Sequence, residues 1–460
     1  MDTTSGRRSW IRTRRERRTP AAKEHGPVKN IHLIGIGGVG MSALAQALVD
    51  AGNEVSGADR SIDDPSAEMT PALAALASQG VKLFPDDGSG VSGDTSRVIV
   101  STAIEDDNPG LAKARALGIP VVHRAAALAE LLSGHRLAAV AGTCGKSTVT
   151  AILGHILAAA GFDPVVVNGA AVAGWSEDGA RVGSVRRGRG QWAVAEVDES
   201  DKSLMSFSPA AAVITNASAD HFGIEETEAL FDGFRDKVSG PCFDCRKDPA
   251  RPENVNVSSW SSSFDFEGAT WTVPMPGAHN AENAFNAVRL ARAMGADATA
   301  LRLALATFPG VERRLQKVGM CGEAVVVDDY AHNPAKLAAM WSALAGAFPA
   351  GVAVVWRPHG YGPLHKMLSG LAAAFMSALR PQDALLLLPV YDAGGTADRS
   401  VASEHLSAKL AGAAGIVECV ASLDDAERRL RELAPRMGAV VTAGARDPGL
   451  PVLARRLASS

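Results

Sequence analysis

The twenty residues AAVAGTCGKSTVTAILGHIL, positions 138–157, constrain this chain more than any other stretch. An apolar strand runs into a Gly/Thr/Gly/Lys/Ser loop that opens directly onto a helix. In that order the loop N–H groups, the helix N-terminus and the Lys146 ammonium converge on one anion, and the Ser147 hydroxyl reaches a divalent metal. The chemistry points to a nucleoside triphosphate. Val140 stands where the strict eight-residue pattern has its first glycine, and a bare GKS tripeptide is common by chance. The flanking strand and long apolar-faced helix favour phosphate binding over an accidental turn.

At 460 residues, 47% of them hydrophobic, the chain has length for about three α/β domains. Its formal net charge of -4 argues against a general affinity for nucleic acid or an anionic membrane. Five scattered cysteines (Cys144, Cys242, Cys245, Cys321, Cys419) suit a reducing cytoplasm better than a disulfide framework. Cys242 and Cys245 form a lone CxxC with no second pair at zinc spacing, which favours a plain loop. Residues 1–26 carry RRSWIRTRRERR and read as a basic disordered tail or an artefact of the start codon, ahead of a transit peptide or an RNA-binding arm. No 18-residue uncharged apolar run appears, so no membrane span is expected.

Three blocks follow one another. IHLIGIG, GVGMSALAQALVDAG and EVSGAD give strand, glycine turn, helix and strand, with Gly35, Gly37 and Gly40 in GxGxxG and Asp59 nineteen residues beyond. Alone this spells a Rossmann-like βαβ unit with NAD as the default ligand, although any pyrophosphate suits that helix N-terminus. In the second block the strands of RLAAVAGTCGKS, QWAVAEVDESD and AAAVITNASADHFG end at Lys146/Ser147, at Glu196 to Asp201 and at Asp220/His221. Ligands gather at the carboxyl ends of parallel strands, and hydroxyl, carboxylate and imidazole around phosphates suit Mg²⁺. DESD also reads as a helix N-cap cluster and His221 as a turn residue; the shared strand-end position favours the metal. The third block holds VVVDDYAHNP, a buried strand ending in Asp328, Asp329, Tyr330 and His332, and further strands alternate with alanine-rich helices.

The ordered set GIGGVGMSALA, VIVSTAI, HRAAALAEL, GTCGKST, EVDESD, NASADH, PGAHNAENA, GVERR and DDYAHNP resembles the Mur ligases, which add amino acids to the UDP-linked precursor of bacterial cell wall. It is most similar to the branch that joins L-alanine to UDP-N-acetylmuramate through an acyl phosphate, using ATP and Mg²⁺. The resemblance implies an α/β fold of three domains. These are a Rossmann-like UDP-binding domain (27–136), a P-loop ATPase-like central domain (137–308) and a Rossmann-like domain for the amino acid (309–460). The NAD reading then falls: Gly35, Gly37, Gly38, Gly40 and Asp59 would hold the UDP portion. Gly142, Thr143, Gly145, Lys146, Ser147 and Thr148 would cradle the ATP phosphates, with Ser147 and Glu196 on one Mg²⁺ and His221 on a second. His279, Asn280 and Asn283 would meet adenine, Asp329 the ribose and Arg314 the phosphates. His332 would assist the incoming amine. Domain closure is expected about the 308–314 linker. The resemblance also implies a cytoplasmic monomer or weak dimer, with no nucleic-acid or membrane partner.

Three departures stand out. Cys144 replaces the histidine usual in the phosphate loop, which leaves the backbone contacts intact. The segment 222–275 is shorter than in relatives, so the small antiparallel part of the middle domain is expected to be trimmed. Relatives that add alanine carry a PHR-type motif and a further arginine three residues on, where this chain has Gly360 and Pro363. Glycine and proline cannot clamp a carboxylate. Arg357, His359, His365 or Lys366 would have to substitute, or the acceptor is another amino acid or a recycled peptide. A catalytically inactive paralogue that binds UDP-sugar or ATP is the reading from a different class.

Overall fold

Strand Asn30–Ile34 sits in the middle of a parallel five-stranded sheet, with Glu54–Ala58 and Lys82–Phe84 on one side and Arg97–Val100 and Val121–His123 on the other. The chain leaves the central strand in both directions, so a crevice opens at its carboxyl end. This is the Rossmann-like order expected from GIGGVG. The coordinates are a computed structural model describing residues 29–63, 69–200, 202–218, 222–258, 260–392 and 398–459; the basic tail expected over 1–26 lies outside them.

A six-stranded sheet follows, in the order Cys242–Asp244, Ala211–Ile214, Arg136–Ala141, Trp192–Glu196, Val165–Val167 and Val185–Arg186, antiparallel only at the last pair. Successive side chains on a strand point to opposite faces. Leu137, Ala139 and Ala141 therefore join one core while Ala138 and Val140 join another. The first core is continuous with Ile31, Leu44 and Leu128 of the preceding sheet and its helices, so the first two sheets share one apolar interior. The second packs helices Lys146–Ala159 and Ala278–Ala293 against the opposite face. Cys242 and Cys245 correct the loop reading: Cys242–Asp244 pairs in parallel with Ala212–Ile214 as an edge strand, and Cys245 is buried just beyond it. Burial pushes both thiols up to about 11, away from the thiolate a metal needs.

Strands Glu253–Val257, Ser262–Phe266 and Ala269–Val273 form the small antiparallel sheet in the segment expected to be trimmed. The last sheet runs Gln316–Cys321, Ala324–Asp329, Ala439–Ala443, Val352–Trp356, Ala384–Leu387 and Ile416–Cys419, parallel except at its first strand. Helices cover both faces, which is why its inner strands are largely apolar, while the edge strands carry Gln316, Lys317 and Glu418. Among the described residues no helix is long and apolar enough to cross a membrane.

The 308–314 linker is shorter in effect than expected. Phe308 and Val311 belong to the central core, Val172 and Val311 form a β-bridge, and the Glu312 N–H donates to the Ala171 carbonyl at 2.8 Å. From the next residue the chain is fastened to the last sheet. The Arg313 carbonyl accepts from Tyr330 at 2.8 Å, and the Leu315 N–H donates to Asp329 Oδ2 at 2.7 Å. Arg313 and Leu315 both turn through positive φ, 57° and 47°. Elsewhere the last sheet meets the central part through Trp260, whose ring stands 6.2 Å from that of Phe348, and through Gly277, where a β-carbon would lie 2.7 Å from Ala343 Cβ.

Candidate active site

Strand Arg136–Ala141 is the inner strand of its sheet, so its carboxyl end opens between two neighbours and the phosphate loop starts there. Gly142 has φ 123° and Gly145, the N-cap of helix Lys146–Ala159, has φ 86°. Glycine adopts such angles without steric cost. A β-carbon on Gly142 would stand 2.1 Å from Thr215 Oγ1, and one on Gly145 would stand 2.5 Å from Asn283 Oδ1. The loop is fastened through its backbone. Cys144 N–H donates to Asn216 Oδ1 at 2.9 Å, and the Cys144 carbonyl accepts from Thr215 Oγ1 at 2.6 Å and Asn216 Nδ2 at 3.0 Å. The Ser218 N–H donates to Thr143 Oγ1 at 3.1 Å. None of these bonds uses the Cys144 side chain.

Lys146 Nζ donates to the Gly142 carbonyl at 2.7 Å and to Glu199 Oε2 at 2.6 Å, with Asp198 Oδ1 at 3.2 Å. Burial works against the ammonium, but the charges of Asp198, Glu199 and Glu196 outweigh it and hold Lys146 protonated well above its ordinary range. Asp198 is opposed by burial and pulled below the usual carboxylate range by Lys146. Burial, with Asp198 beside it, moves Glu199 the other way. Asp198 also lies 3.9 Å from Arg124, whose guanidinium would be 3.0 Å from a β-carbon on Gly40. A chain of charges thus runs from the first glycine turn to the phosphate loop. Glu196 ends its strand in register with Val140, and its Oε2 accepts from the Gly169 N–H at 2.8 Å.

The first glycine turn is closed by Gly35 and Ile36 N–H groups on the Ala58 carbonyl, 2.7 and 3.1 Å. Asp59 fastens it further, taking the Gly37 N–H at 2.7 Å on Oδ2 and Ser61 N–H and Oγ on Oδ1. Gly38 is the N-cap of the helix that follows, and Gly40 lies in its first turn.

Asn283 reaches the phosphate loop at Gly145, while Asn280 is buried and donates to the Pro276 carbonyl at 2.8 Å. Burial lowers His279 to about 4, a neutral imidazole at pH 7. On the last sheet, Asp329 spends both oxygens on backbone N–H groups, Leu315 and Ala331, each at 2.7 Å, and burial pushes it up to about 6. Arg313 pairs with Asp328 at 3.2 Å, and Arg313 and Arg314 both stand 5.0 Å from the Tyr330 ring centre. His332 Nδ1 donates to the Tyr330 carbonyl at 2.9 Å, which leaves Nε2 the acceptor, with Lys336 Nζ 3.5 Å away. The His332 and His359 ring centres are 4.9 Å apart.

Residues 30–136 match the Mur ligase family, catalytic domain, and residues 313–446 match the Mur ligase, glutamate ligase domain. A UDP-N-acetylmuramate–L-alanine ligase of Cereibacter sphaeroides is 33% identical over 467 residues, covering 92% of this chain and 95% of the relative. The chain belongs to the Mur ligase family. A protein of the same name from Ruegeria pomeroyi is 35% identical over 82% of this chain and 85% of its own length. In structure, the UDP-N-acetylmuramate-alanine ligase of Thermotoga maritima matches 94% of this chain and 98% of its own with TM-score 0.77 at 25% identity. A murein peptide ligase of Psychrobacter arcticus shares the fold, with TM-score 0.62 at 20% identity over 94% of this chain and 98% of that one.

For this Mur ligase the structure brings Lys146, Glu196 and Asn283 together around the phosphate loop, and it gathers Arg314, Asp329 and His332 on one edge of the last sheet. His221 lies outside the described residues. Among the described residues no group of three or more His, Cys, Asp and Glu side chains is arranged to hold a metal. Sequence reasoning passed over Arg124 and Asn216, and it held Asp198 and Glu199 only within the Glu196 to Asp201 cluster, not as partners of Lys146. Arg357, offered as a substitute clamp, is committed to Asp447 at 2.7 Å and to the Pro389 carbonyl at 3.0 Å.

Proposed function

We propose that this Mur ligase joins L-alanine to UDP-N-acetylmuramate in the cytoplasm, with ATP and Mg²⁺, by way of an acyl phosphate. The observation that carries this reading is the phosphate loop: glycines at 142 and 145 take the positive φ and close packing that its turn needs, and Lys146 Nζ folds back to the Gly142 carbonyl. Domains bounded at 27–136, 137–308 and 309–460 divide the labour among UDP-sugar, ATP and amino acid.

The loop fits a triphosphate: packed against Thr215 and Asn283 where no β-carbon has room, it leads into a helix N-terminus whose N–H groups suit an anion. Ser147 and Glu196 offer the hard oxygens Mg²⁺ takes; Glu196 Oε2 is engaged with Gly169, and Oε1 makes no hydrogen bond with a described residue. His221 joins them on the strength of the family resemblance. Bound Mg²⁺ would screen the charges of the γ-phosphate and the muramyl carboxylate.

A carboxylate is a poor electrophile. Its oxygen takes the γ-phosphoryl group, the bond to the β-phosphate oxygen breaks and ADP leaves. Lys146 and Arg314 compensate the phosphoryl oxygens' charge in that step. The neutral amine of alanine then attacks the acyl carbon and phosphate departs. His332 Nε2, the ring nitrogen that does not donate to Tyr330, takes the amine's proton. His279, Asn280, Asn283 and Asp329 are assigned to adenosine, and the Gly35–Gly40 turn with Asp59 to the UDP.

The test is phosphate release from ATP with UDP-N-acetylmuramate and Mg²⁺, using each amino acid and the recycled tripeptide separately. Release with L-alanine is the expected result. Release only with another acceptor would rename the enzyme. Silence throughout, with UDP-sugar still bound, would make it an inactive paralogue.

A further inference from the structure

The carboxyl edge of the last sheet carries a cation that no described residue neutralises. Strands Val352–Trp356 and Ala439–Ala443 are neighbours, with Trp356 in register with Ala443. Gly360 lies four residues past the first and Arg446 three past the second, so their loops meet. Arg446 Nη1 stands 3.9 Å from the point where a β-carbon on Gly360 would be. That is an ordinary van der Waals separation, so the guanidinium lies directly beside position 360.

The acidic groups on this edge are committed elsewhere. Asp447 takes Arg357 and the Gly449 N–H, Asp328 takes Arg313 and Thr442, and Asp329 takes two backbone N–H groups. Asp392 pairs with Arg399. Arg446 is exposed and makes no hydrogen bond or ion pair with any described residue. His359, which precedes Gly360, stacks edge-on with His332. An unmatched guanidinium therefore shares a loop cluster with the imidazole assigned to the acceptor's amine.

We propose that Arg446 binds the α-carboxylate of the acceptor amino acid, from the loop facing Gly360. The proposal rests on the ligase reading above and names the group that recognises its acceptor. A guanidinium offers two parallel N–H donors to a carboxylate, and from this loop it fixes the acid end of an amino acid while the amine points toward His332. It also accounts for Gly360 and Pro363: the clamp is delivered from the adjacent strand.

Initial rates of the full-length enzyme test it. In Arg446→Ala the KM for L-alanine should rise on the order of 10- to 100-fold, with KM for ATP and UDP-N-acetylmuramate within about twofold of wild type. Arg446→Lys keeps the charge without the fork and should fall between. Wild type should prefer L-alanine to L-alaninamide, and Arg446→Ala should lose that preference. An unchanged KM for L-alanine in an active Arg446→Ala enzyme, or a rise confined to ATP, overturns the proposal. A wild type silent with L-alanine overturns the ligase reading and this one with it. Thermal melts of both variants should match wild type, because the side chain is exposed.

Discussion

Lys146 Nζ lies 2.6 Å from Glu199 Oε2, an ion pair whose members are 11% and 3% exposed. The phosphate-loop cation is thus matched by protein carboxylates, Glu199 and Asp198, and a triphosphate must compete with them for it. Removing the lysine leaves buried Glu199 without a counter-charge, while the half-buried Asp198 keeps Arg124 at 3.9 Å. Such a loss costs about 3 to 5 kcal/mol. Lys146→Ala is expected to lower the melting temperature and to cut ATP-dependent phosphate release on the order of 100- to 1000-fold or more. UDP-sugar affinity, measured by calorimetry, should stay within about threefold if the first domain binds it independently. Equal loss of both activities would contradict that division of labour.

Glu196 gives one oxygen to the Gly169 N–H, and the proposed metal would take the other. Glu196→Gln keeps an acceptor for Gly169 but removes the charge. The Mg²⁺ concentration for half-maximal rate should rise about tenfold, at the low end of what a weakened metal shell costs. An unchanged Mg²⁺ titration would take Glu196 out of the metal shell.

Gly142 and Gly161 separate steric collision from backbone strain. Both have positive φ, 123° and 83°, but a β-carbon at Gly161 meets nothing within 4 Å whereas at Gly142 it meets Thr215 Oγ1 at 2.1 Å. Gly161→Ala should cost about 1 to 2 kcal/mol and leave kcat alone. Gly142→Ala should cost more than about 3 kcal/mol and abolish ATP binding. Denaturant melts with nucleotide titration would show both; equal effects would mean that the Thr215 contact relaxes freely.

Asp329 gives a pH signature of definite sign. Burial raises it to about 6 against an ordinary 3.8, so the folded chain binds this proton more tightly than the unfolded one. Its contribution to stability is present below about pH 4 and lost as pH rises to about 6, worth about 3 kcal/mol across the window. In Asp329→Asn that descent should vanish. Urea melts at intervals from pH 4 to 7 for both proteins would measure the difference, and parallel profiles would refute the shift.

Local pattern carried the chemistry that depends on consecutive residues. The strand, loop and helix around Lys146 needed only an apolar run, two glycines and a long amphipathic segment, and they fold as read. Asp59 was legible as part of the first block by its distance from Gly40, but as a ligand-binding acid, and its bonds to Gly37 and Ser61 were not foreseen. What pattern missed depends on which loop lands beside which. Glu196, at the strand end, was chosen over Asp198 and Glu199, yet the turn after it is what folds those two back to Lys146. Arg124 and Asn216 lie far along the chain from the glycine turn and the phosphate loop they serve. Arg357 looked available because nothing in the sequence announces that Asp447, ninety positions on, would take it.

The junction at Glu312 and Arg313 has a mechanical meaning. Consecutive residues are bolted to different bodies, Glu312 by Ala171 and Arg313 by Tyr330, Asp328 and the carbonyls of Gly444 and Ala445. No residue separates the two anchorages, so at this junction only the backbone dihedrals of Glu312 and Arg313 lie between the two bodies. A substitution at either residue would therefore act on the angle between the two bodies as well as on the loop that carries it.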